Sequence, residues 1–128
     1  MEFRVDTASR TPIYRQLAEQ IREGIATGRL AVEEKLPSVR ELSRTLVVNP
    51  NTIAKVYAEL ERAGVLTTRQ GLGVYVAAPR VDLTKKARVD KLTSTVDRLL
   101  TEAVHLGFTA EEVARMVAAR SERFHWEN

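Results

Sequence analysis

The chain has 128 residues, of which 44% are hydrophobic and 29% are charged, and its formal net charge is +3. This composition suits a small globular protein with a modest core, and the absence of cysteine excludes a disulfide framework, a thiolate zinc site and a cysteine nucleophile. Residues 1–10 contain no long apolar run, and they do not show the charged stretch followed by an apolar stretch that is typical of a signal peptide. We therefore expect neither a signal peptide nor a membrane span, and we expect a cytoplasmic protein.

The first predicted helix precedes Gly28. Thr11 is placed to cap it, Pro12 can open it without losing a hydrogen bond, and Gly28 ends it. Apolar side chains recur at about one turn, at Ile13, Leu17, Ile21 and Ile25. We expect this amphipathic helix to hold the domain together.

Two further helices are predicted by their start signals. Ser38 with Glu41 three residues later forms a capping box, which predicts a helix from about Val39. Asn49 followed by Pro50 predicts a second helix from about Pro50, because Asn accepts hydrogen bonds from the free amides of a first turn. Only a short connection separates the two helices, as in a helix-turn-helix unit that reads DNA.

The second of these helices has one apolar and one polar face. Its polar face carries Asn51, Lys55 and Arg62. Asn49, Asn51 and Lys55 lie near the helix start, where a recognition helix contacts base edges and phosphates. The apolar face consists of Ile53, Val56, Tyr57 and Leu60.

A small β wing is predicted after this helix. Gly64 supplies a left-handed stop, and two β-rich runs at 65–69 and 74–77 flank the turn Gly71-Leu72-Gly73. The predicted fold is therefore mainly α with a small β wing, an N-terminal winged helix-turn-helix followed by a helical region.

This segment resembles the DNA-binding domain of the GntR family of bacterial transcriptional regulators. The resemblance is carried by the string LPSVRELSRTLVVNPNTIAKVYAELERAGVLTTRQGLGVYV. The usual family form is LPS-x-R-x-L-A, a V-x-x-x-T turn, an A-Y-x-x-L-E-x-x-G helix and an R-x-G-x-G-x-x-V wing. The resemblance covers about Thr11 to Ala77, which makes it far more specific than a single short motif.

The resemblance implies which residues contact a double-stranded DNA operator. Arg40 corresponds to the arginine that reaches DNA from beside the recognition helix, which occupies about 50–62. Gln70 and Gly71 correspond to the tip of the wing at about 65–77, which in relatives lies over the minor groove. Asn49, Asn51 and Thr52 correspond to the polar start of the recognition helix. Taken together with the residues' own pattern, the predicted DNA-binding set is Ser38, Arg40, Asn49, Pro50, Asn51, Thr52, Lys55, Arg69, Gln70 and Gly71.

Two positions depart from the family pattern. Relatives often have arginine where this chain has Pro50 and Ala54. A guanine contact by those arginines is therefore in doubt here, and Lys55 is the residue that could replace one of them.

The sequence after Pro79 predicts two helices and no further strand. Gly107 ends the first helix, and a capping box of Thr109 with Glu112 starts the second. Apolar residues recur on both helices at steps of three and four: Val89, Leu92, Val96, Leu99, Leu100, Val104, Val113, Met116 and Val117.

We expect these residues to form a homodimer interface, because a two-helix hairpin can hide only part of its apolar surface on itself. The expected domains are a DNA-binding domain at 1–79 and a dimerisation region at 80–128. The alternative is that the helices fold back on the winged helix as extra core.

The distribution of charge favours the DNA-binding domain as the part that contacts phosphate. Residues 1–80 carry 12 basic and 9 acidic side chains, whereas residues 81–128 carry 8 of each.

The short helical region resembles the YtrA-type branch of the family. This resemblance implies a repressor of its own operon and often of neighbouring transporter genes. It leaves open whether a small-molecule effector exists; any effector site is expected at the dimer interface or at a hinge near Pro79.

Other kinds of function find little support in the residues. We see no Ser-His-Asp set, no paired catalytic carboxylates and no phosphate loop, so we expect no enzyme and no cofactor. His105 and His125 lie apart without a ligand cluster, so we expect no metal site. A winged helix can also serve protein or RNA contacts or an architectural role, but the polar start of the recognition helix favours duplex DNA.

Overall fold

The structure is a computed structural model that describes residues 1–79 and 83–126. The described residues contain α1 (Ile13–Ala26), α2 (Val39–Leu46), α3 (Pro50–Arg62), β1 (Leu66–Arg69), β2 (Gly73–Val76), α4 (Lys85–His105) and α5 (Ala110–Ser121). The predicted fold class, mainly α with a small β wing, is confirmed.

The described residues fall into two compact units. The first, called here the winged unit, comprises residues 1–79 with His125 and Trp126, and the second, the hairpin unit, comprises residues 83–124. The predicted hinge near Pro79 falls in part on residues 80–82, which lie outside the described residues.

Helix α1 begins one residue later than its sequence signals suggest. Its cap position is Pro12, which has an extended ψ of 148° and provides no side-chain hydrogen bond. The prediction that Thr11 caps this helix is wrong. The backbone carbonyl of Thr11 instead accepts a hydrogen bond of 2.8 Å from the Nε2 amide of Gln16, which links the segment before α1 to the helix.

The start signals of α2 and α3 are confirmed. The Ser38 hydroxyl accepts from the Glu41 amide at 3.0 Å, and the Glu41 carboxylate accepts from the Ser38 amide at 3.3 Å. The Asn49 side chain accepts from the Asn51 amide at 2.8 Å, with Pro50 as the first helical residue. These caps fix where both helices begin, and so where their first turns are presented.

A core of apolar side chains joins the three helices and the wing. Helix α1 contributes its buried face, α2 contributes one leucine, α3 contributes all four residues of its predicted apolar face, and each wing strand contributes one residue. These residues are Leu17, Ile21, Leu42, Ile53, Val56, Tyr57, Leu60, Leu66 and Val76. The winged unit therefore buries the apolar faces that its sequence provides.

The wing is an antiparallel pair extended on one side by the loop before α2. Leu66 pairs with Val76, and Arg69 pairs with Gly73. On the other edge of β2, the Glu33 amide donates to the Val76 carbonyl and the Val76 amide donates to the Glu34 carbonyl, both at 2.9 Å. This extra pairing anchors the base of the wing to residues 33–36.

The hairpin unit consists of two helices joined by a short turn. Thr84 caps α4 by accepting from the Ala87 amide at 3.1 Å. The predicted capping box of Thr109 with Glu112 is present at the start of α5. Among the described residues, no helix combines the length and apolar character that a membrane crossing requires.

Candidate nucleic-acid interface

The exposed face of α3 presents the predicted recognition residues. Asn51 and Lys55 are exposed, Thr52 is half-buried, and Ala54, which separates them, is exposed as well. Because Ala54 has only a methyl side chain, the helix surface next to Asn51 and Lys55 is not covered by a large residue, and a base edge can approach the helix closely. An exposed alanine also offers a methyl group that suits contact with thymine.

Two of the predicted contact residues, Asn49 and Ser38, also cap helices. The Oδ1 oxygen of Asn49 is occupied by the Asn51 amide, and the Ser38 oxygen is occupied by the Glu41 amide. Each side chain keeps a donor, the amide nitrogen of Asn49 and the hydroxyl proton of Ser38. Both residues can therefore cap a helix and still donate to a phosphate.

Lys55 has a partner that the sequence did not predict. Its Nζ lies 5.4 Å from the centroid of the Tyr14 ring on α1, at a distance typical of a cation–π contact. The two residues are far apart in the chain, and no local pattern connects them. The contact holds the Lys55 ammonium against α1, although Lys55 itself stays exposed.

Tyr57 joins the recognition helix to the segment that enters α2. Its hydroxyl donates to the Pro37 carbonyl at 2.8 Å. Burial raises the pKa of the Tyr57 hydroxyl, and the nearby Glu41 carboxylate raises it further, so the group keeps its proton and remains a donor. This hydrogen bond links α3 to the start of α2.

Arg40 is exposed in the first turn of α2, two residues after the capping Ser38. The start of α2 is the same segment that Tyr57 joins to α3. Arg40 thus lies in a capped helix turn, and the residue just before that turn, Pro37, is hydrogen-bonded to α3. A long cation in this place can reach a phosphate or a guanine edge.

The wing carries Arg69 at the end of β1 and Gln70 and Gly71 in its exposed turn. The Arg69 guanidinium lies 4.1 Å from the centroid of the Tyr75 ring and 3.6 Å from the Glu33 carboxylate. Gly71 has φ of 76°, which glycine adopts without strain, and the space where a side chain would project is open. The backbone at Gly71 is therefore open to close approach by another molecule. Next to the turn, Arg69 is held by its contacts with Tyr75 and Glu33.

Three features of this region were not predicted from the sequence. The first is the pairing of Glu33 with Arg69, since 35 residues separate them in the chain and ion pairs of that kind leave no local pattern. The second is the contact of Lys55 with Tyr14. The third is the left-handed backbone of Val47, in the turn between α2 and α3, with φ of 54°.

The predicted dimerisation residues lie mostly on the surface of the hairpin unit. Val113 is buried, at 7% exposure. The other eight are between 41% and 72% exposed: Val89, Leu92, Val96, Leu99, Leu100, Val104, Met116 and Val117. The single chain thus leaves most of its predicted interface uncovered.

An apolar cleft of about 220 Å³ lies between α4 and α5. Its lining includes Leu99, Phe108 and Met116, with Glu102 and Arg120 as its charged members. Within residues 1–79 and 83–126, no group of three or more His, Asp or Glu side chains could hold a metal ion.

Comparison with known proteins identifies the family of this chain. Residues 13–76 match the family model described as bacterial regulatory proteins, gntR family. This match covers α1, α2, α3 and the wing, the elements that position the candidate interface. The chain belongs to the GntR family. The relationship suggested by the resemblance is thereby confirmed.

Two Bacillus subtilis members of the GntR family match nearly the whole chain. The HTH-type transcriptional repressor YtrA is 34% identical over 111 residues, which span 87% of this chain and 85% of the relative. The uncharacterized HTH-type transcriptional regulator YhcF is 43% identical over 108 residues, which span 82% and 86%. The similarity therefore includes the hairpin unit and confirms the YtrA-type branch.

Solved structures of related proteins agree with this assignment. A structure described as a transcriptional antiterminator from Listeria monocytogenes EGD-e superimposes with a TM-score of 0.80 at 30% identity, covering 100% of this chain and 96% of that one. The DNA-binding domain of AraR in complex with operator ORX1 superimposes with a TM-score of 0.51 at 32% identity, covering 57% and 90%. The family and the two Bacillus subtilis relatives are DNA-binding transcriptional regulators rather than enzymes.

Proposed function

We propose that this GntR regulator is a homodimeric repressor that reads a pseudo-palindromic operator with two winged units. The observation that carries the proposal is the exposed polar start of α3. It is capped by Asn49 and belongs to a helix whose Tyr57 is hydrogen-bonded to Pro37, just before α2, and which the wing follows. The repressor role is supported by the similarity to YtrA along most of the chain. Such a protein acts in the cytoplasm, where bacterial DNA lies.

The recognition helix supplies direct readout in this proposal. Asn51 can pair with adenine through its amide, and Lys55 can donate to guanine or to a phosphate. The small side chain of Ala54 lies exposed between them and lets the helix sit deep in the major groove. Pro50 has no amide hydrogen to donate to DNA, so we assign it to shaping the helix start.

Phosphate and minor-groove contacts supply orientation. We assign Arg40, Ser38 and Asn49 to contacts with DNA phosphates beside the major groove. All three lie at capped helix starts, where backbone amides and the helix dipole favour anions. We assign the wing turn at Gln70 and Gly71 to the minor groove. Such contacts set the register of the protein on the duplex, while the sequence is read by α3.

Dimerisation is assigned to the hairpin unit. Its exposed apolar residues lie on a helix of 21 residues, about 30 Å long, and on the shorter helix that follows. An isolated monomer seldom exposes so continuous an apolar stripe, and a second copy covers it with the same stripe. A two-fold dimer then presents two recognition helices to the two halves of a palindrome.

A small-molecule effector, if this regulator has one, would bind next to that interface. The cleft between α4 and α5 has a volume of about 220 Å³, below the roughly 300–1,000 Å³ typical of ligand sites. A partner hairpin packed against the cleft would add the missing walls. Effector binding there would change the separation of the two winged units, and so the fit to the operator.

The experiment that tests this function is a pull-down of fragmented genomic DNA with the purified protein, sequenced at a low and a high salt concentration. Phosphate attraction falls steeply with salt, whereas base readout sets which fragments remain. We expect enrichment of a palindromic site upstream of the protein's own gene at both concentrations. Salt-sensitive binding to all fragments, without a preferred site, would contradict the repressor proposal and favour an architectural role.

A further inference from the structure

Glu33, in the loop between α1 and α2, has a backbone conformation that does not suit it. Its φ of 69° lies in the left-handed region, where the Cβ of an L-residue crowds the following carbonyl. The conformation is enforced by the loop's pairing with β2, in which the Glu33 amide donates to the Val76 carbonyl. Glycine would fit this position without strain, so the backbone alone gives no reason for a glutamate.

The side chain of Glu33 reaches across to the wing. Its Oε1 lies 3.6 Å from the Nη2 of Arg69, and the Glu33 side chain is 73% exposed. An ion pair this exposed contributes little to folding stability, because water and salt screen it. The pair therefore does not offset the backbone strain. Its main consequence is that the Arg69 guanidinium is less available to bind another anion.

Arg69 is held where a wing cation would meet DNA. Its guanidinium stacks over Tyr75, and its strand position pairs with Gly73 at the edge of the exposed turn. A second cation, Lys35, passes the same glycine, since a Cβ built on Gly73 would lie 2.9 Å from the Lys35 Cε. The wing thus carries two cations near Gly73, and one of them, Arg69, is paired with the Glu33 carboxylate.

We propose that Glu33 competes with DNA phosphate for Arg69 and thereby weakens the grip of the wing on duplex DNA. The inference rests on the proposed function, in which the wing lies against the operator. A guanidinium binds a phosphate and a carboxylate in the same way, so the two anions compete for the N–H donors of the Nη2 atom that faces Glu33. Non-specific binding depends almost wholly on phosphate contacts. A competing carboxylate therefore lowers unspecific binding while base readout by α3 is unaffected.

The test is a binding titration of the full chain against a fluorescein-labelled DNA duplex of arbitrary sequence, repeated over a range of salt concentrations. Glu33→Gln removes the charge but keeps the size of the side chain. We expect it to tighten binding about three- to tenfold at low salt, with a salt slope steeper by up to about one phosphate contact. Unchanged affinity would overturn the inference.

Glu34→Gln is the matched control. It removes the same charge one residue away. The side-chain amide oxygen of the glutamine can still accept the hydrogen bond that the Ala31 amide gives to the Glu34 carboxylate. We expect a much smaller change than for Glu33→Gln. Equal tightening by both variants would show general charge repulsion and would contradict a specific competition for Arg69.

Arg69→Ala completes the design as a double-mutant cycle. In the Arg69→Ala background, Glu33→Gln should have no more effect than Glu34→Gln, because the shared guanidinium is absent. A full effect of Glu33→Gln in that background would overturn the inference while leaving DNA binding intact. Failure of the unmodified protein to bind any duplex would instead defeat the proposed function, and this inference with it.

Discussion

The two units of this chain treat their apolar residues in opposite ways. The winged unit buries nearly all of its apolar helix faces, with Leu17, Ile21 and Ile53 fully inaccessible. In the hairpin unit only Ala103 and Val113 are buried among the described residues, while most of the apolar stripe is exposed. The difference indicates that the winged unit carries its own core, whereas the hairpin unit is suited to completing its core with another surface.

The largest expected effect comes from placing a charge in the hairpin stripe. Leu99→Asp should weaken dimerisation by about 3–5 kcal/mol, because a carboxylate buried without a partner is strongly unfavourable. Sedimentation velocity at micromolar concentration measures the result. The control is Ser94→Asp, which puts the same charge on another side of α4. A dimeric Leu99→Asp protein would contradict the proposed interface.

The second effect tests the core of the winged unit. Leu60 is 1% exposed, so Leu60→Ala should lower the free energy of unfolding by about 3 kcal/mol through lost burial and a residual cavity. Urea denaturation followed by circular dichroism measures this change. Leu92→Ala, at a position 66% exposed, should lower dimer affinity and leave the unfolding of the winged unit unchanged. Similar losses in both variants would remove the contrast between the units.

The third prediction concerns the recognition surface. Arg40→Ala and Asn51→Ala should each weaken operator binding by about 1–3 kcal/mol, the size of a good base or charge-assisted contact. The Arg40→Ala variant should bind all DNA sequences more weakly, whereas the Asn51→Ala variant should mainly lose discrimination at one base pair. Competition gel shifts with operator and unrelated duplex separate the two effects. Unchanged affinity for both variants would remove them from the interface.

The smallest prediction tests a strained turn. Val47 has a left-handed backbone and is 91% exposed, so Val47→Gly removes strain and gives up almost no buried surface. We expect the free energy of unfolding to rise by about 0.5–1 kcal/mol, after allowance for the greater freedom of glycine in the unfolded chain. Val48→Gly, at a buried neighbour, should instead destabilise the protein. A loss of stability in Val47→Gly would show that the turn is not strained.

The local signals of the sequence predicted helix starts well. The capping boxes at Ser38 and Thr109 and the cap at Asn49 depend on residues within one turn of each other, so they are readable from spacing alone. Thr11 was misread because the extended backbone of Pro12 moves the start of α1 by one residue. Periodicity also predicted the buried face of α3 correctly.

Contacts between distant segments could not be predicted in this way. The pair of Glu33 with Arg69 and the contact of Lys55 with Tyr14 depend on how the wing and the helices pack. The left-handed backbone of Val47 opposes the usual preference of β-branched residues, so residue type gave no indication of it. The DNA-contacting and dimerisation residues themselves stay predictions that the variants above would test.

The most direct test of the division between the two units is the number of chains bound to one operator duplex. Sedimentation equilibrium of the complex, with the recovered palindromic site in labelled form, gives this number. We predict two chains per duplex for the unmodified protein, and a loss of this stable two-chain complex for Leu99→Asp. One chain per duplex at full affinity would contradict the account, since the hairpin unit would then contribute nothing to operator recognition.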